Sequence, residues 1–229
     1  MFFGLKDLLL HPDAFFARVA QGKVNLIPPL VIVGAGMFLN FLGLLLTLGF
    51  YKSLISPEFY SHISGGLVGS FICYSLITPL VIWGFFSFSL YGISRLFAGE
   101  GSLPATIQNV GYGMIPLTVS ALVPVITSVV TIYNYYAFLA PRISWNMLFP
   151  WDVFPGDDSA PIGFFVLLII GVVVFIWMWY LWILAVRHTH QFTMRKAAII
   201  TVVPVAIYVG VTTPVVYYSE WILRIVTRT

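Results

Sequence analysis

The chain has 229 residues, of which 60% are hydrophobic, 17% are aromatic and only 8% are charged. Because soluble domains carry about 25% charged residues, this composition excludes a water-soluble globular protein and indicates a membrane protein. The net charge of +3 comes from residues between apolar stretches, so it predicts orientation in a membrane rather than a nucleic-acid partner.

Residues 1–24 are predicted to form an amphipathic segment on the cytoplasmic face of the membrane. Its apolar run is broken at His11, Pro12 and Asp13, and no small-residue cleavage site follows, which argues against a signal peptide. Pro12 suits the first turn of a new helix. A helix that binds a partner protein has the same pattern, and this alternative stays open.

Five apolar segments follow, each long enough to cross a hydrocarbon core of about 30 Å. Their interiors contain no Asp, Glu, Lys or Arg, and none alternates polar and apolar residues as barrel strands do. Because backbone in lipid must satisfy its own hydrogen bonds, the chain is predicted to be all-α, a polytopic bundle of five transmembrane helices. The predicted transmembrane domain covers residues 25–229, with spans at 26–50, 67–94, 105–132, 162–187 and 197–219.

The third span contains Gly111, Gly113, Pro116 and Pro124, and is therefore predicted to be kinked. Prolines are common in membrane helices because neighbouring groups repair the lost hydrogen bonds. Broken helices that bind a transported substrate have a similar composition, and ordinary kinks are the favoured interpretation here.

Lys and Arg predict the orientation of the spans. The N-terminal side carries seven of these residues and the opposite side the other four, whereas three acids lie on the N-terminal side and five on the opposite side. The N terminus is therefore predicted to be cytoplasmic and the C terminus outside. The aromatic-rich loop 133–161 is predicted to fold back on the outer leaflet.

The polar side chains within the spans limit the chemistry. Ionisable residues inside a membrane usually mark function, and their absence from the five interiors argues against a proton relay or an intramembrane protease. Gln108, Asn109 and Tyr112 lie near the cytoplasmic end of the third span. They are predicted to bond neighbouring helices, with a polar vestibule as the alternative.

Basic residues cluster where the fourth span ends. His188 and His190 are two residues apart, so on a helix they do not converge on one ion, and we expect neither a metal nor a cofactor. Arg187 and His190, together with Arg195 and Lys196, are predicted to form a collar on anionic lipid headgroups.

Three sequence elements resemble the Yip1-domain family of five-span membrane proteins. The first ends in Pro12-Asp-Ala-Phe15-Phe16 before the first span. The second is a glycine-rich turn that leads into a Gly-Tyr…Pro span. The third is a basic link between spans four and five. Their key residues are, for the first two elements, Pro12, Phe15, Phe16, Gly99, Gly101, Gly111, Tyr112 and Pro116, and, for the third, Trp182 with residues 185–190 and 195–197.

The resemblance implies a membrane organiser rather than a catalyst. Eukaryotic relatives act in early secretory traffic, associate with one another and bind prenylated Rab-type GTPases. Those relatives usually carry a long cytoplasmic N-terminal region. Only residues 1–24 precede the first span here, so the chain is more similar to short prokaryotic members, which implies a prokaryotic cell membrane.

Two classes of function follow from these observations. The first is a non-enzymatic protein that organises the lipid bilayer or binds a membrane-protein partner or a second copy of itself, including as an accessory subunit. The second is a small oligomeric transporter or channel subunit. The motif residues are interpreted as architecture: Gly99 and Gly101 in a tight turn, Gly111 at a close helix approach, and Pro116 at a bend.

Overall fold

The computed structural model describes residues 5–54, 66–134 and 162–226. All regular structure in these ranges is helical, which confirms the predicted all-α class. The helices are α1 (Leu5–Leu10), α2 (Pro12–Gln21), α3 (Ile27–Leu54), α4 (Gly66–Leu96), α5 (Leu103–Tyr112), α6 (Ile115–Ser120), α7 (Leu122–Asn134), α8 (Ile162–His190) and α9 (Met194–Val226).

Five stretches of these helices are long and apolar enough to cross a membrane, which confirms the predicted number of spans. The helix of the fourth span, α8, continues past its predicted end at residue 187, and the helix of the fifth span, α9, begins before residue 197. Most of the predicted aromatic loop lies outside the described residues, so its position on the outer leaflet stays a prediction. The five stretches are Ile27–Phe50, Ser75–Leu96, Leu103–Val130, Leu168–His190 and Met194–Val211.

The third span is broken into α5, α6 and α7, so the predicted kink is present. The first break is a turn in which the Met114 N–H donates to the Gly111 carbonyl at 3.1 Å. Pro116 lies in the first turn of α6, where its missing N–H removes no helical hydrogen bond. The second break is at Ala121, between α6 and α7.

Contacts among the described residues define two compact units. Of these residues, the first unit contains 5–26, 84–110 and 181–226, and the second contains 27–54, 66–83, 111–134 and 162–180.

In the second unit, α3 packs closely against α6 and α7. A Cβ atom on Gly36 would lie 3.0 Å from Thr118 Oγ1, and one on Gly43 would lie 3.2 Å from a backbone nitrogen of α7. The hydroxyls of Thr47 and Ser128 are 2.8 Å apart. Small residues and hydroxyl pairs are the usual means by which helices associate in lipid, where lipid tails are as apolar as the helices.

In the first unit, aromatic side chains join four helices. The rings of Phe86 and Trp182 stack with centroids 3.9 Å apart, and Tyr208 lies 5.5 Å from Phe86. The indole N–H of Trp182 donates to the Val110 carbonyl at 3.2 Å. This cluster holds α4, α5, α8 and α9 together beside the turns described below.

The N-terminal segment forms two short helices, and α2 begins at Pro12 as predicted. Leu8, Phe15 and Phe16 are buried within the protein, whereas Leu9 and Leu10 are exposed. The hairpin formed by α1 and α2 therefore divides its apolar residues between the protein interior and its outer surface.

Candidate functional site: the joint between two turns

The helix α4 ends in a turn with a hydrogen-bond pattern known as the Schellman motif. The Gly99 N–H donates to the Ser94 carbonyl at 2.8 Å, and the Ala98 N–H donates to the Arg95 carbonyl at 3.1 Å. Ala98 has φ of 60°, in the left-handed region that usually takes glycine. An L-residue there costs about 1–2 kcal/mol.

The helix α8 ends in the same way. The Phe192 N–H donates to the Arg187 carbonyl at 3.0 Å, and Gln191 has φ of 59°. A second non-glycine residue therefore takes the left-handed position, and the basic link between α8 and α9 is a tight turn rather than an extended loop.

The two turns press against each other at His190. A Cβ atom on Gly99 or on Gly101 would lie 2.8 Å from His190 Nδ1, and one on Gly101 would also lie 2.6 Å from the Thr189 carbonyl oxygen. The His190 side chain is 1% exposed. We call this contact the turn joint and define it by Gly99, Gly101, Thr106, Thr189 and His190.

A buried hydroxyl holds the imidazole on its other edge. Thr106 Oγ1 lies 3.0 Å from His190 Nε2 and donates to the Ser102 carbonyl at 3.0 Å. Since a hydroxyl has one proton, this arrangement makes Nε2 the donor to Thr106. The opposite nitrogen, Nδ1, then faces the glycine backbone with no hydrogen-bond partner among the described residues.

Two of the predicted polar residues connect segments of the first unit. The Asn109 amide donates to Thr189 Oγ1 at 2.6 Å, which joins α5 to the turn joint. Gln108 Oε1 accepts from the backbone N–H of Asn25 at 2.6 Å, which fixes the segment before α3. Gln108 and Asn109 are both buried, whereas Tyr112 is half-buried.

The Gly-Tyr…Pro element lies in the second unit. A Cβ atom on Gly111 would lie 2.6 Å from Pro29 Cβ and 2.9 Å from Trp83 Nε1. Such distances require a side chain to move, so glycine permits a close approach between helices at this point.

The four residues of the predicted headgroup collar have different environments. His190 is buried, and Arg195 is exposed. Arg187 donates to Asp13 Oδ1 at 2.7 Å, and the Lys196 ammonium donates to the Phe97 carbonyl at 2.7 Å. The Lys196 ammonium also lies 4.4 Å from the centre of the Phe192 ring.

Asp13 connects the N-terminal hairpin to the end of α8. Its Oδ1 atom lies 2.7 Å from both Arg187 and His188 Nε2. The hydrogen bond with His188 and the positive charge of Arg187 hold the pKa of Asp13 below its ordinary value. The sequence offered only a weak signal for this role, namely an acid in the first turn of a helix and a basic link elsewhere.

Metal binding finds no support in the described part of the chain. No three His, Cys, Asp or Glu side chains lie close enough together there to hold an ion. The chemistry that the joint does offer is packing and neutral hydrogen bonding around a buried imidazole.

Comparison with known proteins identifies relatives. The Yip1 domain matches residues 6–213. An uncharacterized protein of Methanocaldococcus jannaschii is 28% identical over 125 residues, which cover 53% of this chain and 85% of that protein. No solved structure matches the chain significantly.

Proposed function

The chain belongs to the Yip1-domain family, as its motifs predicted, and we propose that it is a non-catalytic integral membrane protein that binds other membrane components. In this proposal it resides in a prokaryotic cell membrane with its N terminus in the cytoplasm. Its partner is another membrane protein, a second copy of itself, or the lipid around it.

The turn joint is the observation that carries this proposal. The glycine-rich turn and the basic link, which are the most distinctive parts of the chain, meet in a contact that leaves no space for a side chain at Gly99 or Gly101. Thr106 and His190 of the joint are buried and hydrogen-bonded to each other, and the buried Asn109 donates to Thr189 of the joint. Residues committed to holding helix ends together support a binding scaffold better than a reaction centre.

The direct test is gentle extraction of the tagged protein from its native membrane at native expression level. Mass spectrometry would identify proteins that remain bound in fixed stoichiometry, and tagging each candidate would test recovery in the reverse direction. We expect one membrane protein, or a second copy of this chain, to be recovered in both directions.

A comparison with a Gly101→Ala variant makes this test specific. The added methyl group would disturb the turn joint without changing the outer surface of the spans, and we expect partner recovery to fall. A protein that purifies as a monomer with neither protein nor lipid bound, or one that turns over a substrate by itself, contradicts the proposal.

A small transporter or channel subunit is the second candidate, and the break in the third span favours it. Discontinuous helices in transporters expose backbone groups that bind ions and substrates. Here α5 ends at Tyr112, and α6 begins at Ile115 after the N-cap residue Met114. Solute flux into proteoliposomes that is lost in Gln108→Ala, with the thermal midpoint of unfolding unchanged, would support transport. Proteoliposomes that show no flux of any solute in a broad panel would exclude transport.

A further inference from the structure

The surface around the two turns carries an unbalanced charge. We call it the turn face and define it by residues 6–24, 95–102 and 187–196. Two of its three acids are neutralised, since Arg18 pairs with Asp7 at 2.6 Å and Arg187 pairs with Asp13 at 2.7 Å. The third acid, Glu100, is exposed.

The remaining cations of the turn face have no acidic partner among the residues that the structure describes. Arg95 and Lys196 donate to backbone carbonyls, at 2.9 Å and 2.7 Å, which leaves their charge in place. Five unpaired cations against one unpaired acid leave an excess of four positive charges. The five are Lys6, Lys23, Arg95, Arg195 and Lys196.

Exposed apolar side chains lie beside these cations in the sequence. Leu96 is 85% exposed and Leu10 is 60% exposed, although both belong to helix ends rather than to the middle of a span. Leu9, Phe97 and Met194 are also exposed. Apolar side chains interleaved with cations are typical of a surface that lies among lipid headgroups, where chains enter the acyl region and ammonium or guanidinium groups meet phosphates.

The segments of the turn face are held to one another. Asp13 fixes the hairpin to the end of α8, and Lys196 fixes the start of α9 to the end of α4 through the Phe97 carbonyl. The three segments that carry these cations are therefore joined to one another within the first unit.

We propose that the turn face binds the phosphates of anionic lipids in the leaflet that surrounds it. Lys6, Lys23 and Arg195 are the principal contacts, since they are exposed and unpaired. This set differs from the collar that the sequence suggested, because Arg187 is neutralised by Asp13 and His190 is buried. The proposal concerns lipid recognition and does not depend on any protein partner.

The test is native mass spectrometry of the detergent-purified protein, titrated with phosphatidylglycerol and, separately, with phosphatidylcholine of the same acyl chains. We expect the wild-type protein to bind phosphatidylglycerol about tenfold more tightly, and this preference to shrink in 0.5 M salt because exposed charges are screened. The variant Lys6→Gln/Lys23→Gln/Arg195→Gln should lose most of the preference.

The matched control removes three cations that the sequence assigns to the opposite side: Lys52→Gln/Arg142→Gln/Arg224→Gln. The net charge changes equally, and we expect the preference for phosphatidylglycerol to persist. Equal losses in both variants, or a wild-type protein that binds the two lipids alike, would overturn the proposal. The salt titration of the wild-type protein gives an answer even if a variant fails to fold.

Discussion

At the residue scale, the His190 imidazole that packs on positions 99 and 101 explains why both positions require glycine. We expect Gly101→Ala to destabilise the protein by about 1–3 kcal/mol, the usual cost of overpacking, because the new Cβ would lie 2.6 Å from the Thr189 carbonyl oxygen. Thermal unfolding in detergent measures this effect. Gly92→Ala is the matched control: a Cβ there meets nothing within 4 Å, and alanine favours the helix. Equal midpoints for Gly101→Ala and the wild type would contradict the turn joint.

At Ala98, one of the two left-handed residues, a substitution is expected to raise the stability of the protein rather than lower it. Ala98 has φ of 60°, so Ala98→Gly removes the steric cost of a Cβ and should stabilise the protein by up to about 1 kcal/mol. Ala198→Gly, inside α9, should instead destabilise it by a similar amount, because glycine loses more backbone entropy in a helix. Chemical denaturation measures the free energy of unfolding, which should rise in Ala98→Gly and fall in Ala198→Gly. A lower value for Ala98→Gly than for the wild type would show that the α4 turn is not strained.

At the element scale, Asp13 is the ionic link between the N-terminal hairpin and α8. The folded-state pKa of Asp13 is lowered by its hydrogen bond with His188 and by Arg187. Its contribution to stability is therefore complete above the unfolded-state pKa of about 3.9 and is lost as the pH falls through the lower folded-state pKa. Since the side chain of Asp13 is 54% exposed, the contribution should stay within the 0–1 kcal/mol typical of surface pairs.

The thermal midpoints of the wild-type protein and Asp13→Asn should thus differ at pH 6 and converge below pH 4. Asp7→Asn removes an ion pair within the hairpin. It therefore serves as the control that distinguishes loss of the contact between the hairpin and α8 from loss of stability within the hairpin. Only Asp13→Asn should speed trypsin cleavage at Lys23. A difference between wild type and Asp13→Asn that persists at pH 2.5 would mean that the carboxylate charge is not its cause.

The elements that the sequence predicted well are those with local causes. Five uncharged apolar stretches predict spans because a helix is the only backbone that satisfies itself in lipid, and Pro116 predicts a break because it has no N–H. The turn joint has no such local cause. Thr106 and His190 are 84 positions apart. The periodicity of one helix does not predict which side chains at the end of another helix will contact it.

Contacts between residues far apart in sequence also explain why the residues of the predicted headgroup collar have different environments. Arg187, His190 and Lys196 are close in sequence and cationic or polar, which suggested a common role. In the folded protein one contacts Asp13, one is buried among glycines, and one donates to the Phe97 carbonyl. Those partners come from segments about 90 or more positions away, so proximity in sequence could not separate the three.

At the scale of the whole molecule, the distribution of Lys and Arg predicts that the two termini lie on opposite sides of the membrane, with the N terminus inside. A single cysteine is present, Cys73, and Cys73→Ser gives a background for labelling. In intact cells a membrane-impermeant maleimide should label Arg228→Cys, whereas Gln21→Cys, at the exposed end of α2, should react only after permeabilisation. The two variants control for each other, since both become reactive once the membrane is opened. Labelling of Gln21→Cys in intact cells would reverse the orientation and would place the turn face, with its unpaired cations, in the outer leaflet.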